Sequence, residues 1–216
     1  MPRLVVRCFA VSLDGYSAAP GQSQKEPFGR DGLRLMTWAF ATRHFNQMFG
    51  RPGGSEGTDN NFAAGADEGI GASIMGRHMF GPPPDADDKP AWKGWWGENP
   101  PYHHPVFVLT TEKRASLSME GGTTFHFVTD GIEAALKRAV AAAGGKDVRL
   151  AGGPSTVRQY MKAGLVDELH LVQVPLFLGH GERIFEDLGA VADLYECVEF
   201  TPSPAVSHLR IVKKPA

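Results

Sequence analysis

Three junctions in this chain place glycines, hydroxyls and cations where a β-like run ends. The first is AGGPST at 151–156. A short run, DVRLA at 147–151, stops at Gly152 and Gly153, and PSTVRQYMKAG then reads as a helix with Pro154 in its first turn and Gly164 after its end. A helix N-terminus carries free N–H groups and partial positive charge, and glycines let a ligand approach the main chain. Ser155 and Thr156 add hydroxyl donors. The second junction is IMGRHMF at 74–80, where Gly76, Arg77 and His78 follow another short strand. The third is LTTEKR at 109–114, where Thr110, Thr111, Lys113 and Arg114 close a strand. Singly, these read equally as a tight turn, a solvated basic pair and a polar loop, and none is a full G-x-G-x-x-G fingerprint. Together they suit one dinucleotide lying beyond the carboxyl ends of parallel strands. Two bases with two threonines at 110–114 suit a 2′-phosphate and favour NADPH over NADH.

The elements that must position these residues alternate between strand and helix. Strands are predicted at 3–12, 71–80 (passing into a turn), 106–110, 124–128, 147–151, 167–175, 194–200 and 206–212. Leu35, Trp38, Phe45 and Met48 recur at helical spacing in one helix that starts at Leu33 and ends at Gly50. A second helix follows Asp130, a suitable N-cap with Glu133 three residues on, and stops at Gly144. Residues 51–69 read as irregular, and 81–105, with Trp92, Trp95 and Trp96, as a long loop; packing is the favoured role of those tryptophans over a substrate lid. Helices between strands imply parallel crossovers, and TPSP between the last two strands implies an antiparallel hairpin.

Composition bounds the function. The chain has 216 residues, 42% hydrophobic and 21% charged, with a net charge of −2. That suits one domain over 1–216 and argues against nucleic-acid binding. Cys8 and Cys197 lie in strand-like runs and read as buried thiols of a cytoplasmic protein. Arg7 interrupts the first apolar run, so no signal peptide is expected, and no stretch reaches membrane-spanning length. His103 and His104 are adjacent and lack a matching Cys or Glu pair, so no metal site is expected.

The ordered motifs SLDGY, IMGRHMF, VFVLTTEKR, LAGGPSTVRQYMKAGLVDELHL and VPLFLGHGERIFEDL resemble the dihydrofolate-reductase-like superfamily. Within it the chain is similar to stand-alone relatives of the bacterial riboflavin-biosynthesis reductase domain. The resemblance implies an α/β fold with a mostly parallel, mixed eight-stranded sheet, flanking helices and a C-terminal antiparallel hairpin. It implies an NADPH cleft formed by Gly76, Arg77, His78 and Met79, by Leu109, Thr110 and Thr111, and by Gly152, Gly153, Pro154, Ser155 and Thr156, with the Gly-Gly bond often cis. Ala10, Val11, Asp14 and Gly15 would lie near the nicotinamide. Two departures bear on substrate. Trp38 stands where folate reductases grip the pterin with a carboxylate, with Asp31 a poor substitute, and Ala151 stands where riboflavin reductases usually have Glu.

The resulting expectation is a cytoplasmic NADPH-dependent reductase of a small heterocyclic or carbonyl substrate, of the phosphoribosylaminouracil-reductase type by resemblance. Asp14 is the expected proton donor, with Tyr16 second, although the LDG turn accounts for Asp14 nearly as well. Dihydrofolate reduction and non-catalytic nucleotide binding are the rivals. Apolar terminal strands and the Trp-rich loop suggest a homodimer, with no nucleic-acid or membrane partner.

Overall fold

Runs of Val, Leu and Ile bounded by glycines fix the strands at the centre of the molecule. The computed structural model describes residues 2–83, 85–87 and 89–215. In chain order its elements are β1 (Leu4–Ser12), β2 (Tyr16–Ala18), α1 (Thr37–Phe40), α2 (Arg43–Met48), α3 (Thr58–Ala64), β3 (Ile70–Gly76) and α4 (Arg77–Phe80). There follow β4 (Pro105–Leu109), β5 (Leu117–Ser118), β6 (Thr124–Val128), α5 (Ile132–Ala142), β7 (Asp147–Gly152), α6 (Pro154–Lys162), β8 (Glu168–Val174), β9 (Glu182–Arg183), β10 (Tyr195–Pro202) and β11 (Ser207–Lys213).

Nine strands form one sheet in the order β10-β11-β8-β1-β7-β3-β4-β6-β5. The six from β8 to β6 are parallel, and β11, β10 and β5 run antiparallel at the edges. The expected eight strands are all present. The ninth, β5, is two residues long and too short to carry an alternation signal, as is the β2–β9 ribbon beside the sheet.

Helices α5 and α6 cover one face. Ala135 and Ala139 of α5, and Val157, Tyr160 and Met161 of α6, pack on Val6, Ile74, Val148 and Leu150. Alanine lets α5 lie close, and a Cβ on Gly71 would stand 2.0 Å from the Ala143 carbonyl oxygen, so only glycine fits there. The Tyr160 hydroxyl donates to the Ile132 carbonyl at 2.7 Å and joins the two helices. Residues 19–67 and the 81–104 loop cover the other face.

Three local expectations are corrected. The helix from Leu33 to Gly50 is broken into a 3₁₀ turn, α1 and α2. Buried Thr42 is the cause: it is extended, its Oγ1 donates to the Ala39 carbonyl at 2.6 Å, and it accepts the Phe45 N–H as the N-cap of α2. The segment 51–69 contains α3, fastened to α2 where Asn60 Oδ1 accepts the His44 N–H at 2.7 Å. Gly131, not Asp130, is the N-cap of α5, and Asp130 pairs with Arg138 instead.

Candidate active site

Strands β1 and β7 pair only at Leu4–Val148 and Val5–Arg149, and then part. A bulge around Arg7 and Cys8, where Cys8 has φ 52°, turns β1 further away. The parting opens a cleft of ≈1170 Å³ at the carboxyl ends of the parallel strands. Such a crevice is where α/β sheets bind ligands, and this volume has room for a dinucleotide and a second ring.

One half of the cleft has the chemistry of a dinucleotide cradle. Gly76, Arg77, His78 and Met79 line it from the β3–α4 junction, Leu109, Thr110 and Thr111 from the end of β4, and Gly153, Pro154, Ser155 and Thr156 from the start of α6. A Cβ at Gly153 would meet nothing within 4 Å, so this glycine leaves open space beside the first turn of α6. The Gly152–Gly153 peptide is cis. Gly152 itself faces Phe9 rather than the cleft, with φ 127°. At Gly76 the constraint is internal, since a Cβ would lie 2.3 Å from Thr156 Oγ1. These residues fit a bound dinucleotide: an open glycine, orphan helix N–H groups, hydroxyls and one guanidinium meet at one place.

The cations after β4 behave differently from expectation. Arg114 donates to the Trp92 carbonyl at 2.6 Å, and its guanidinium lies 4.9 Å from the Phe127 ring and 5.5 Å from that of Phe80. Its planar group is used in packing, while Lys113 stays exposed.

The other half of the cleft is aromatic. Phe28, Phe40, Phe45 and Phe49 line one wall, and Trp95, Trp96 and Tyr102 come from the loop opposite. Phe49 stacks on Trp96 at 5.9 Å and links the two walls. The loop tryptophans thus divide. Trp92 is core, donating its Nε1–H to the Phe80 carbonyl at 2.8 Å, whereas Trp95 and Trp96 face the cleft.

Several expected site residues lie elsewhere. Ala10 lines the cleft, but Val11 is in the helix-side core and Gly15 is on the outer turn. Asp14 is not on the cleft wall. Its carboxylate accepts from Ser12 Oγ at 2.5 Å and from the N–H groups of Leu178 and Gly179 at 3.0 and 2.7 Å. These bonds, led by that of Ser12, hold it down to about 2, and they make it a clamp between two loops. Tyr16 belongs to the β2–β9 ribbon, under the Arg183 guanidinium at 4.5 Å. Trp38 is 4% exposed in the core, edge-on to His208 at 5.5 Å, and is not on the cleft wall. Leu35 and Met36 line the cleft in its place.

Sequence reasoning missed two groups. Arg7 and Arg149 lie on the cleft floor with Cys8 and Tyr102. Arg149 shares the parity of Ala151 on β7, and a charge in that alternating run was the available signal. Behind the floor runs a chain of hydrogen bonds. The Cys8 N–H donates to His170 Nδ1 at 3.2 Å, which leaves His170 Nε2–H for His208 Nδ1 at 3.0 Å and His208 Nε2–H for Asp59 at 2.8 Å. Burial, followed by the nearby His208, pushes His170 down to about 3. Burial also raises the Cys8 thiol to about 11. Cys8 is partly buried, whereas Cys197, expected to be buried, is exposed on edge strand β10.

The described residues contain no helix long and apolar enough to cross a membrane. None of the curated protein sequences matches the chain significantly. Among solved structures it is similar to a protein provisionally assigned to riboflavin biosynthesis from Shewanella sp. PV-4, with 21% identity, a TM-score of 0.61 and all of both chains covered. It is also similar to a pyrimidine reductase-like protein from Corynebacterium diphtheriae, with 14% identity, a TM-score of 0.54, and 100% of this chain and 93% of that one covered. A dihydrofolate reductase from Enterococcus faecalis, complexed with NADP(H), gives 13% identity, a TM-score of 0.53, and 99% and 97% coverage. The shared feature is the dihydrofolate-reductase-like fold. The family model of the RibD C-terminal domain matches residues 3–207, nearly the whole length, and the chain belongs to that family.

Proposed function

We propose that this protein is an NADPH-dependent reductase of a small, flat acceptor. The observation that carries the reading is the meeting of three strand ends, at Gly76, Leu109 and Gly153, on one cleft whose far half is aromatic. Bound NADPH would supply the hydride. Gly153 leaves room for the pyrophosphate beside the orphan N–H groups at the start of α6. Arg77, braced by its bond to the Gly81 carbonyl, meets phosphate charge. Thr110, Thr111 and Lys113 receive the adenosine end, without Arg114. Phe40, Phe45 and Phe49 exclude water from the acceptor and keep its ring flat against the nicotinamide.

Dihydrofolate is a poor acceptor in this reading. Glu182, on the ribbon, is the carboxylate among the described lining residues, and neither Asp14 nor Asp31 reaches the cleft. Proton delivery then falls to solvent rather than to Asp14. A homodimer remains part of the proposal. Edge strand β10 exposes Val198 and Phe200, and a second copy would cover them.

Fluorescence titration of both dinucleotides, using Trp95 and Trp96 as reporters, tests the cofactor. NADPH should bind at least tenfold tighter than NADH, and a panel of flat acceptors should then oxidise it. Absence of NADPH binding would overturn the reading.

A further inference from the structure

Arg149 lines the cleft, and Nη1 is the one nitrogen of its guanidinium with a partner among the described residues. Its Nη1 pairs with Asp67, whose side chain is 47% exposed. Its Nε is buried and has no partner among the described residues. Covalent geometry sets Nε–H beside the second terminal nitrogen, on the side away from Nη1, as two parallel donors suited to a carboxylate-like acceptor. A buried donor without an acceptor is unfavourable, and natural folds keep few of them. The other floor cation, Arg7, is answered by Glu168, which Arg3 and Arg210 also approach. Arg7 too pairs through Nη1 alone, and Arg149 differs from it in having a buried Nε without a partner among the described residues. The same cleft is lined by a ladder of rings, Phe40–Phe45 at 4.5 Å, Phe45–Phe49 at 5.0 Å and Phe49–Trp96 at 5.9 Å.

We propose that Arg149 selects the acceptor of this cleft, and that the acceptor is a planar ring carrying an anionic oxygen at one edge; this rests on the reductase reading above. The aromatic wall takes the ring faces. The unpaired donors of Arg149 take the oxygen edge, and a neutral or cationic edge of the same shape leaves them unanswered. The position lies three residues before Gly152 in the same strand, so the oxygen edge sits near the cofactor turn.

Three ring fragments of one shape decide it: benzoate, benzamide and benzamidine, each titrated into the protein with and without NADPH by ligand-observed NMR. Benzoate should bind tightest and benzamidine weakest. In Arg149→Met, benzoate should weaken about tenfold or more, the range of one lost charge-assisted bond, while benzamide changes little. Equal affinities of the three fragments, or unchanged benzoate binding in the variant, would overturn the assignment. Should Arg149→Met fail to fold, Asp67→Asn removes the half-exposed counter-ion instead. Benzoate should then bind tighter, and unchanged binding overturns the proposal equally. NADPH titration of the same samples separates the two readings: lost cofactor binding with the fragment order intact overturns only the reductase, and the converse overturns only Arg149.

Discussion

The Asp14 carboxylate accepts the N–H of Gly179 at 2.7 Å, and so fastens the turn after β1 to the loop after β8. Asp14→Ala should lower the melting temperature while leaving the pH profile of turnover without a lost acid limb. The folded group titrates at about 2 against an ordinary 3.8. Its contribution is therefore full above 3.8 and lost as pH falls through 2. Thermal melts of both proteins at pH 7 and pH 3 check this, and loss of turnover with an unchanged melting temperature would restore Asp14 to the chemistry.

His170 should make the protein acid-sensitive above the range of its carboxylates. It titrates at about 3 when folded and at 6.5 ordinarily, so between these values the unfolded chain holds a proton that the native chain lacks. Stability falls as pH drops from 6.5, by up to about 1.4 kcal/mol per pH unit for one proton. Urea unfolding from pH 8 to pH 4 should show the slope, and His170→Gln should flatten it.

Gly153→Val should separate binding from folding. The glycine has φ −71°, and nothing stands within 4 Å of a Cβ there, so the fold tolerates the side chain. NADPH affinity should drop by more than about tenfold as branched carbon enters the space beside the helix start. Gly152→Val is the contrast: φ is 127° and a Cβ meets the Phe9 ring at 3.0 Å, so that variant should lose the fold itself. Circular dichroism with a cofactor titration distinguishes them.

Gly76→Ala should destabilise by about 1–3 kcal/mol, because its Cβ would lie 2.3 Å from Thr156 Oγ1. Adding Thr156→Ala removes that oxygen and should recover most of the loss. A double-mutant cycle by chemical denaturation measures the coupling, which vanishes if the clash is relieved by backbone movement instead.

Legibility in the sequence followed distance along the chain. β6 is found at 124–128 as predicted, since five residues and their flanking turns carry the whole signal. α5 and α6 were equally plain because Gly144 and Gly164, with φ 60° and 65°, punctuate them locally. The break at Thr42 was not legible, because its hydroxyl competes with helical bonds in a way periodicity does not register. The floor of the cleft was harder still. Arg149 meets Asp67 across 82 positions, and His208 meets Asp59 across 149. Trp38 had the right spacing for a helix face, but it packs into the core against His208 rather than onto the cleft.

The central place of β1 has a consequence for how the chain reaches this state. Both of its neighbours are late: Leu4 meets Val148, and Val5 meets Glu168. β1 is thus a largely apolar middle strand, interrupted by Arg7, whose partners lie far along the chain from it. Contacts of such long separation slow folding, because loop closure must precede any gain from pairing. Until those partners pair, β1 is an unpaired edge open to another copy of itself.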